Sequence, residues 1–130
     1  SKYIDQILIV GDDRSYITAL IVPDFNFFID LFDKESVKYV KDQILWDDYG
    51  GFRTCIKVGD DFIVNSHLQE LIREEVDRAN IELENYERIK QFTILTERFT
   101  EMNGLLTHSQ KVKKKEIIEK YSKEIDLMYK

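Results

Sequence analysis

Two apolar runs, residues 5–10 and 16–22, stand on either side of Gly11-Asp12-Asp13-Arg14-Ser15, and the second is stopped by Pro23. Short runs rich in Ile, Val and Thr, bounded by Gly, Asp and Pro, read as β-strands. A link this short between them makes an antiparallel hairpin the default pairing. Neither run alternates apolar and polar residues strictly, so part of each is expected to be covered on both faces.

The rest of the chain supplies the cover. Pro23 and Asp24 suit a helix start, and Phe25, Phe28, Ile29 and Phe32 follow at helical spacing as core residues rather than a ligand box. Over residues 37–64 the pattern predicts a short helix through Val37, Val40 and Ile44, a turn at residues 46–51, and short strands at 54–58 and 61–64. The clearest periodicity spans residues 66–85, where Leu68, Leu71, Ile72, Val76, Ala79 and Leu83 fall on one face of a helix. Ser66 is its expected cap, with Gln69 as capping-box partner. Residues 89–95 read as a third strand and Asn103-Gly104 as a turn; Val112, Ile117, Ile118, Tyr121, Ile125 and Met128 outline a C-terminal helix starting near Lys111. The expected fold class is α+β, with a small mixed or antiparallel sheet of about three strands and helices packed on it, in one domain over residues 1–130.

Composition excludes several classes. With 43% hydrophobic and 34% charged residues, the 130-residue chain is neither disordered nor fibrous. No apolar run approaches the 18 or so residues of a membrane span. A single cysteine, Cys55, fits a reducing compartment, and the expected localisation is cytoplasmic. The chain starts at Ser1 without Met and enters a strand almost at once, which is expected of a piece of a larger protein. His67 and His108 stand far apart without ligands at zinc spacing, and no nucleophile elbow, Walker lysine loop or dinucleotide fingerprint is present. No metal site is expected, and no self-contained active site is visible.

Charge is uneven. The net charge of −6 argues against nucleic-acid binding. Residues 107–130 carry seven lysines against four carboxylates, +3, which leaves −9 on the first 106 residues. A basic segment on an acidic body points to an anionic ligand or partner, or to a solvated helix face with pairs such as Glu116 with Lys120. Within it, Thr107-His108-Ser109-Gln110-Lys111 is a hydroxyl-bearing loop that delivers a lysine, whose compact charge and long reach suit phosphate or carboxylate oxygens.

The residues also carry a family resemblance over nearly the whole chain. It runs through Ile4-x-Gln6, Val10-Gly11-Asp12-x-Arg14-x-Tyr16 and Thr18-Ala19-Leu20-Ile21-Val22-Pro23, then Asn80-x-x-Leu83-x-x-Tyr86-Glu87-x-Ile89-Lys90-x-Phe92. It closes with Phe99-Thr100, Asn103-Gly104-x-Leu106-Thr107, Lys111-Val112-Lys113-Lys114 and Lys120-Tyr121-x-x-x-Ile125. The ordered set resembles the C-terminal domain of acyl-adenylate-forming enzymes, specifically long-chain fatty-acid–CoA ligases.

That resemblance implies a mobile lid on a larger N-terminal domain of the same polypeptide, which would hold the acyl pocket and most of the nucleotide site. It implies ATP, CoA and Mg²⁺ as requirements of the full-length enzyme, with none bound by this domain alone, and a fatty acid as the substrate activated first to acyl-AMP and then transferred to CoA. Lys111 matches the lysine that serves adenylation. Where family members often carry Pro-Thr-Leu, this chain has His108-Ser109-Gln110, with the spacing kept. Lys113 and Lys114 are the alternatives if the loop register differs, and Thr107 and Ser109 are further candidates for the substrate or nucleotide loop. Arg73 resembles an arginine that meets the CoA nucleotide in related enzymes; its plain reading is an exposed charge paired with Asp77. A different class remains open: a non-catalytic binding module that lays the basic C-terminal helix on anionic lipid or protein, with the membrane surface as a peripheral contact.

Overall fold

In the computed structural model, which describes residues 1–49 and 51–130, the elements run β1 (Ile4–Val10), β2 (Ile17–Pro23), α1 (Phe25–Lys34), β3 (Leu45–Tyr49), β4 (Phe52–Lys57), α2 (Asp60–Ile63), α3 (Ser66–Ile81), β5 (Ile89–Ile94), α4 (Lys114–Lys120) and α5 (Ser122–Leu127). The opening hairpin is present, with Leu8 opposite Leu20 and Val10 opposite Thr18. β5 joins it on the far side of β2 in parallel, Ala19 opposite Phe92 and Ile21 opposite Ile94, to give a mixed three-stranded sheet in the order β1-β2-β5.

The central position of β2 decides its burial. Thr18, Leu20 and Val22 face one way, and Ala19, Ile21 and Pro23 the other; all six are buried, so both faces of this strand are covered. β1 departs from the expectation. Leu8 and Val10 are buried, but Asp5, Ile7 and Ile9 on its other face are exposed, because that second layer stops short of the edge strand.

α1 starts where Asp24 caps it, its Oδ1 accepting from the Phe27 amide at 3.1 Å. Phe25, Phe28, Ile29 and Phe32 are all buried. The helix ends with Ser36 at φ +57 and a Val37 amide that reaches back to the Phe32 carbonyl at 2.8 Å, an arrangement that closes helix ends. This turn explains why no helix runs through Val37, Val40 and Ile44; the chain passes instead through one 3-10 turn at Lys41–Gln43. Tyr39 packs between the rings of Phe32 and Phe62, with centroids 6.1 and 5.3 Å away.

Residues 45–64 correct the sequence reading twice. Trp46, Asp47, Asp48 and Tyr49 belong to strand β3, paired antiparallel with β4, rather than to a turn; the expected turn's Gly50 lies outside the described residues. The Arg53 guanidinium stacks 4.2 Å from the Trp46 ring across this ribbon. The predicted strand at 61–64 is instead the helical turn α2: Asp60 and Asp61 occupy its first turn, Phe62 is buried, and Asp61 Oδ2 accepts from the Val40 amide at 2.8 Å. Asn26 fastens the ribbon to α1. Its Nδ2 donates to the Arg53 carbonyl at 3.0 Å, and its Oδ1 accepts from the Cys55 amide at 2.8 Å.

α3 is capped by Asn65, whose Oδ1 accepts from the Leu68 amide at 2.9 Å, and not by Ser66; it ends at Ile81, short of residue 85. Leu68, Ile72 and Val76 are buried, whereas Ala79 is exposed. The C-terminal helix is two helices that meet at Tyr121 (φ −106°) and begin at Lys114, because the backbones of Val112 and Lys113 pair with Leu106 and Leu105 instead. The end of the chain is tied to the opening hairpin. Tyr129 Oη lies 3.1 and 2.8 Å from the carbonyl oxygens of Val10 and Tyr16, and Arg14 pairs with Asp126 at 3.0 Å. Lys120 bonds Glu97 at 2.9 Å, rather than Glu116.

Candidate functional site

The Lys111 loop is built on a hydrogen-bonded base. Phe99 is fully buried, and the Gln6 side chain pairs with its peptide as a neighbouring strand would: Nε2 donates to the Phe99 carbonyl at 3.0 Å, and Oε1 accepts from its amide at 2.8 Å. Asn103 folds the next turn. Its Oδ1 accepts from the Thr100 and Leu105 amides at 3.0 and 3.2 Å, and its Nδ2 donates to the Arg98 carbonyl at 2.8 Å. Gly104 follows at φ +78, a left-handed value that glycine adopts without a Cβ penalty. Leu105 and Leu106 are buried and anchor the segment.

From there the chain leaves the core and returns. Leu106 bridges Val112, the Thr107 amide donates to the Lys111 carbonyl at 2.8 Å, and the Lys113 amide donates to the Leu105 carbonyl at 2.9 Å. Residues 107–111 therefore form a short closed loop, with Gln110 held at φ +68. Lys111 is exposed and makes no ion pair among the described residues. Thr107 is half-buried and Ser109 exposed, their hydroxyl oxygens 3.1 Å apart.

The alternative lysines sit differently. Lys113 is half-buried at the start of α4, and Lys114 Nζ lies 3.4 Å from Asp12 Oδ2 in the hairpin turn. His108, three residues before Lys111, points its Nδ1 at Glu101 Oε1 at 2.8 Å with 98% of its side chain exposed. That hydrogen bond and the carboxylate charge raise the imidazole above its ordinary value. His108 and Gln110 help line an open cavity of about 570 Å³, together with Asp47 and Thr54 of the β3–β4 ribbon.

Arg73 is exposed on α3, but the expected partner Asp77 is not what it meets. Its guanidinium lies 4.8 Å from the Phe92 ring, beside a separate cavity of about 270 Å³ that Ile63, Gln69 and Ile94 also line. The structure thus brings Thr107, Ser109 and Lys111 together in one loop and places Arg73 elsewhere. Asn103 folds the turn expected at Asn103-Gly104, whereas Gln6 and Glu101, which also support the loop, were given no structural role by the sequence; a polar amide in an apolar strand run is the signal that could have found Gln6. Burial pushes the Cys55 thiol up to about 11, as suits a packed side chain rather than a nucleophile. No group of three or more His, Cys, Asp or Glu residues able to hold a metal ion occurs among the described residues.

Residues 57–130 match the family model of the AMP-binding enzyme C-terminal domain, and the chain belongs to that family. It is similar to the long-chain-fatty-acid–CoA ligase FadD15 of Mycobacterium tuberculosis, 32% identical over 126 residues that make up 97% of this chain and 18% of the ligase. It is also similar to fatty acyl-CoA synthetase A of Dictyostelium discoideum, 30% identical over 99% of this chain and 18% of the synthetase. Among solved structures, the adenylation domain of a carboxylate reductase from Mycobacterium chelonae shares the fold, with a TM-score of 0.63 and 21% identity over 98% of this chain and 16% of that one. The chain spans less than a fifth of the length of these relatives. No helix of the described residues is long and apolar enough to cross a membrane.

Proposed function

We propose that the chain is the C-terminal lid of a fatty-acid–CoA ligase and that Lys111 is its catalytic residue for the first half-reaction. The observation that carries this reading is an exposed lysine, free of ion pairs among the described residues, on a closed loop in a member of this family. In the reaction, a carboxylate oxygen of the fatty acid attacks the α-phosphorus of ATP, the bond to pyrophosphate breaks, and acyl-AMP forms. The CoA thiol then adds to the acyl carbonyl, loses its proton, and displaces AMP to leave the thioester.

Both first-step reactants are anions, and charge moves toward pyrophosphate as the bond breaks. A lysine ammonium positioned between them offsets their repulsion where the charge develops. At about 4 Å and an effective dielectric near 20, one such contact is worth roughly 4 kcal/mol before desolvation, or about a thousandfold in rate. The long-chain substrate and the requirement for the rest of the polypeptide rest on the relatives named above, two of which are called long-chain-fatty-acid–CoA ligase and fatty acyl-CoA synthetase. The lid alone is expected to be inactive, since it has no acyl pocket assigned to it. Lys114 and Lys120 are engaged with Asp12 and Glu97, and nothing favours the basic helix as a membrane anchor.

The test is pyrophosphate release by the full-length enzyme with ATP and a panel of carboxylic acids. Release with long-chain acids and little with acetate or aromatic acids is the expected outcome. Release with no acid in the panel would refute the ligase reading.

A further inference from the structure

Thr107 is a candidate from the sequence for the substrate or nucleotide loop, but its hydroxyl is turned to another task. Thr107 Oγ1 accepts from the Lys111 amide at 3.0 Å, while the Thr107 amide donates to the Lys111 carbonyl at 2.8 Å. One residue thus holds both backbone polar groups of the lysine. A third bond, from the Gln110 amide to the Thr107 carbonyl at 2.9 Å, closes the loop. The closure keeps Gln110 at φ +68, a region that side chains other than Gly, Asn and Asp seldom enter. Strain of this kind persists where surrounding bonds over-determine the backbone, and it is concentrated at working sites. Here the bonds that impose it are those of Thr107.

We infer that Thr107 is a positioning residue for Lys111, a latch that fixes the lysine's peptide so that only its side chain has to find the reacting anions. The inference rests on the proposed role of Lys111 and goes beyond it: it moves Thr107 from substrate contact to backbone support. A four-carbon side chain on an unlatched loop would sample many placements, and adenylation would lose the oriented fraction. Thr107→Val removes the acceptor oxygen at nearly constant shape. Thr107→Ser keeps the oxygen and drops only the methyl group.

The experiment uses the full-length enzyme and compares wild type, Thr107→Val, Thr107→Ser and Lys111→Ala in two assays: ATP–pyrophosphate exchange with a long-chain acid, and thioester formation from supplied acyl-AMP and CoA. For Thr107→Val the expected result is a fall of about 10- to 100-fold in kcat for exchange, with KM for acid and ATP little changed. Thioester formation is expected to be unaffected, and Thr107→Ser to retain most of the exchange activity. Full exchange activity in Thr107→Val, alongside its loss in Lys111→Ala, would overturn the latch and leave the lysine's role standing. A rise in KM at unchanged kcat would return Thr107 to substrate contact. Full exchange activity in Lys111→Ala would overturn both readings together.

If Thr107→Val fails to fold, amide hydrogen exchange in the wild-type protein decides. The Thr107 and Lys111 amides are expected to exchange more slowly than the Ser109 amide in the same loop, and equal rates at all three would refute the latch.

Discussion

At the scale of single residues, side-chain amides do much of the fastening in this domain. Gln6, Asn26 and Asn80 each bond both a backbone amide and a backbone carbonyl of a distant segment; Asn80 bonds the amide and the carbonyl of Ile89 at 3.0 and 2.9 Å. A part-buried peptide left without its partner is costly, so Asn80→Ala is expected to destabilise the fold by about 1–3 kcal/mol, measurable by urea unfolding. A buried thiol and a half-buried phenol set an alkaline limit. Burial raises the Cys55 thiol from 9.0 to about 11 and the Tyr121 phenol from 10.0 to about 12, the latter with help from Glu97 and Glu124. Groups whose folded values are raised contribute stability that is complete below their unfolded values and lost as pH climbs through the folded ones. Unfolding free energy is therefore expected to fall between about pH 9 and pH 12, and a flat profile across that window would contradict the raised values of both groups. The same sign holds at His108, whose raised value comes first from its bond to Glu101 and then from that carboxylate's charge. Glu101→Gln is expected to bring its NMR titration midpoint back toward 6.5.

Among the elements, α1 carries the densest aromatic packing. Phe32 is 1% exposed and lies 4.8 Å from the Phe62 ring and 6.1 Å from the Phe28 ring. Phe32→Ala is expected to cost about 3–5 kcal/mol, read as a shift in the urea midpoint at unchanged slope; a loss below 1 kcal/mol would mean the site can collapse. The elements also show what the sequence could and could not convey. The opening hairpin was legible because two β-rich runs and their turn are local, and α3 because its buried Leu68, Ile72 and Val76 repeat at four-residue intervals. The pairing of β5 with β2 was not legible, since nothing within residues 89–94 states that their partner lies near residue 20. Trp46-Asp47-Asp48-Tyr49 misled through its aspartates, which favour turns when alone; here Asp47 and Asp48 stand opposite Thr54 and Arg53, and cross-strand pairing overrides their local preference. Lys113 and Lys114 mark the helix start more truly than Lys111, because Val112 had already been taken by a bridge to Leu106.

For the whole molecule, the sheet and the C-terminal helices form a frame from which the Lys111 loop projects. Tyr129, Arg14 and Asp126 tie the end of the chain to the opening hairpin, Glu97 receives Lys120, and Gln6 seats the base of the loop against β1. Burial alone would push the Glu97 carboxyl up, but the Lys120 ammonium at 2.9 Å outweighs it and holds the group below its ordinary value. Lys111 was singled out by the family resemblance and by its place in a hydroxyl-bearing loop, whereas the contacts that support that loop were not legible, because Gln6 and Glu101 reach it only through the fold. The most direct test of the account is to change Lys111 to Ala in the full-length protein and measure the two proposed half-reactions separately. Acyl-AMP formation is expected to fall by about a thousandfold, with thioester formation from supplied acyl-AMP little changed. Equal loss in both steps, or no loss in the first, would contradict the role assigned to the lysine.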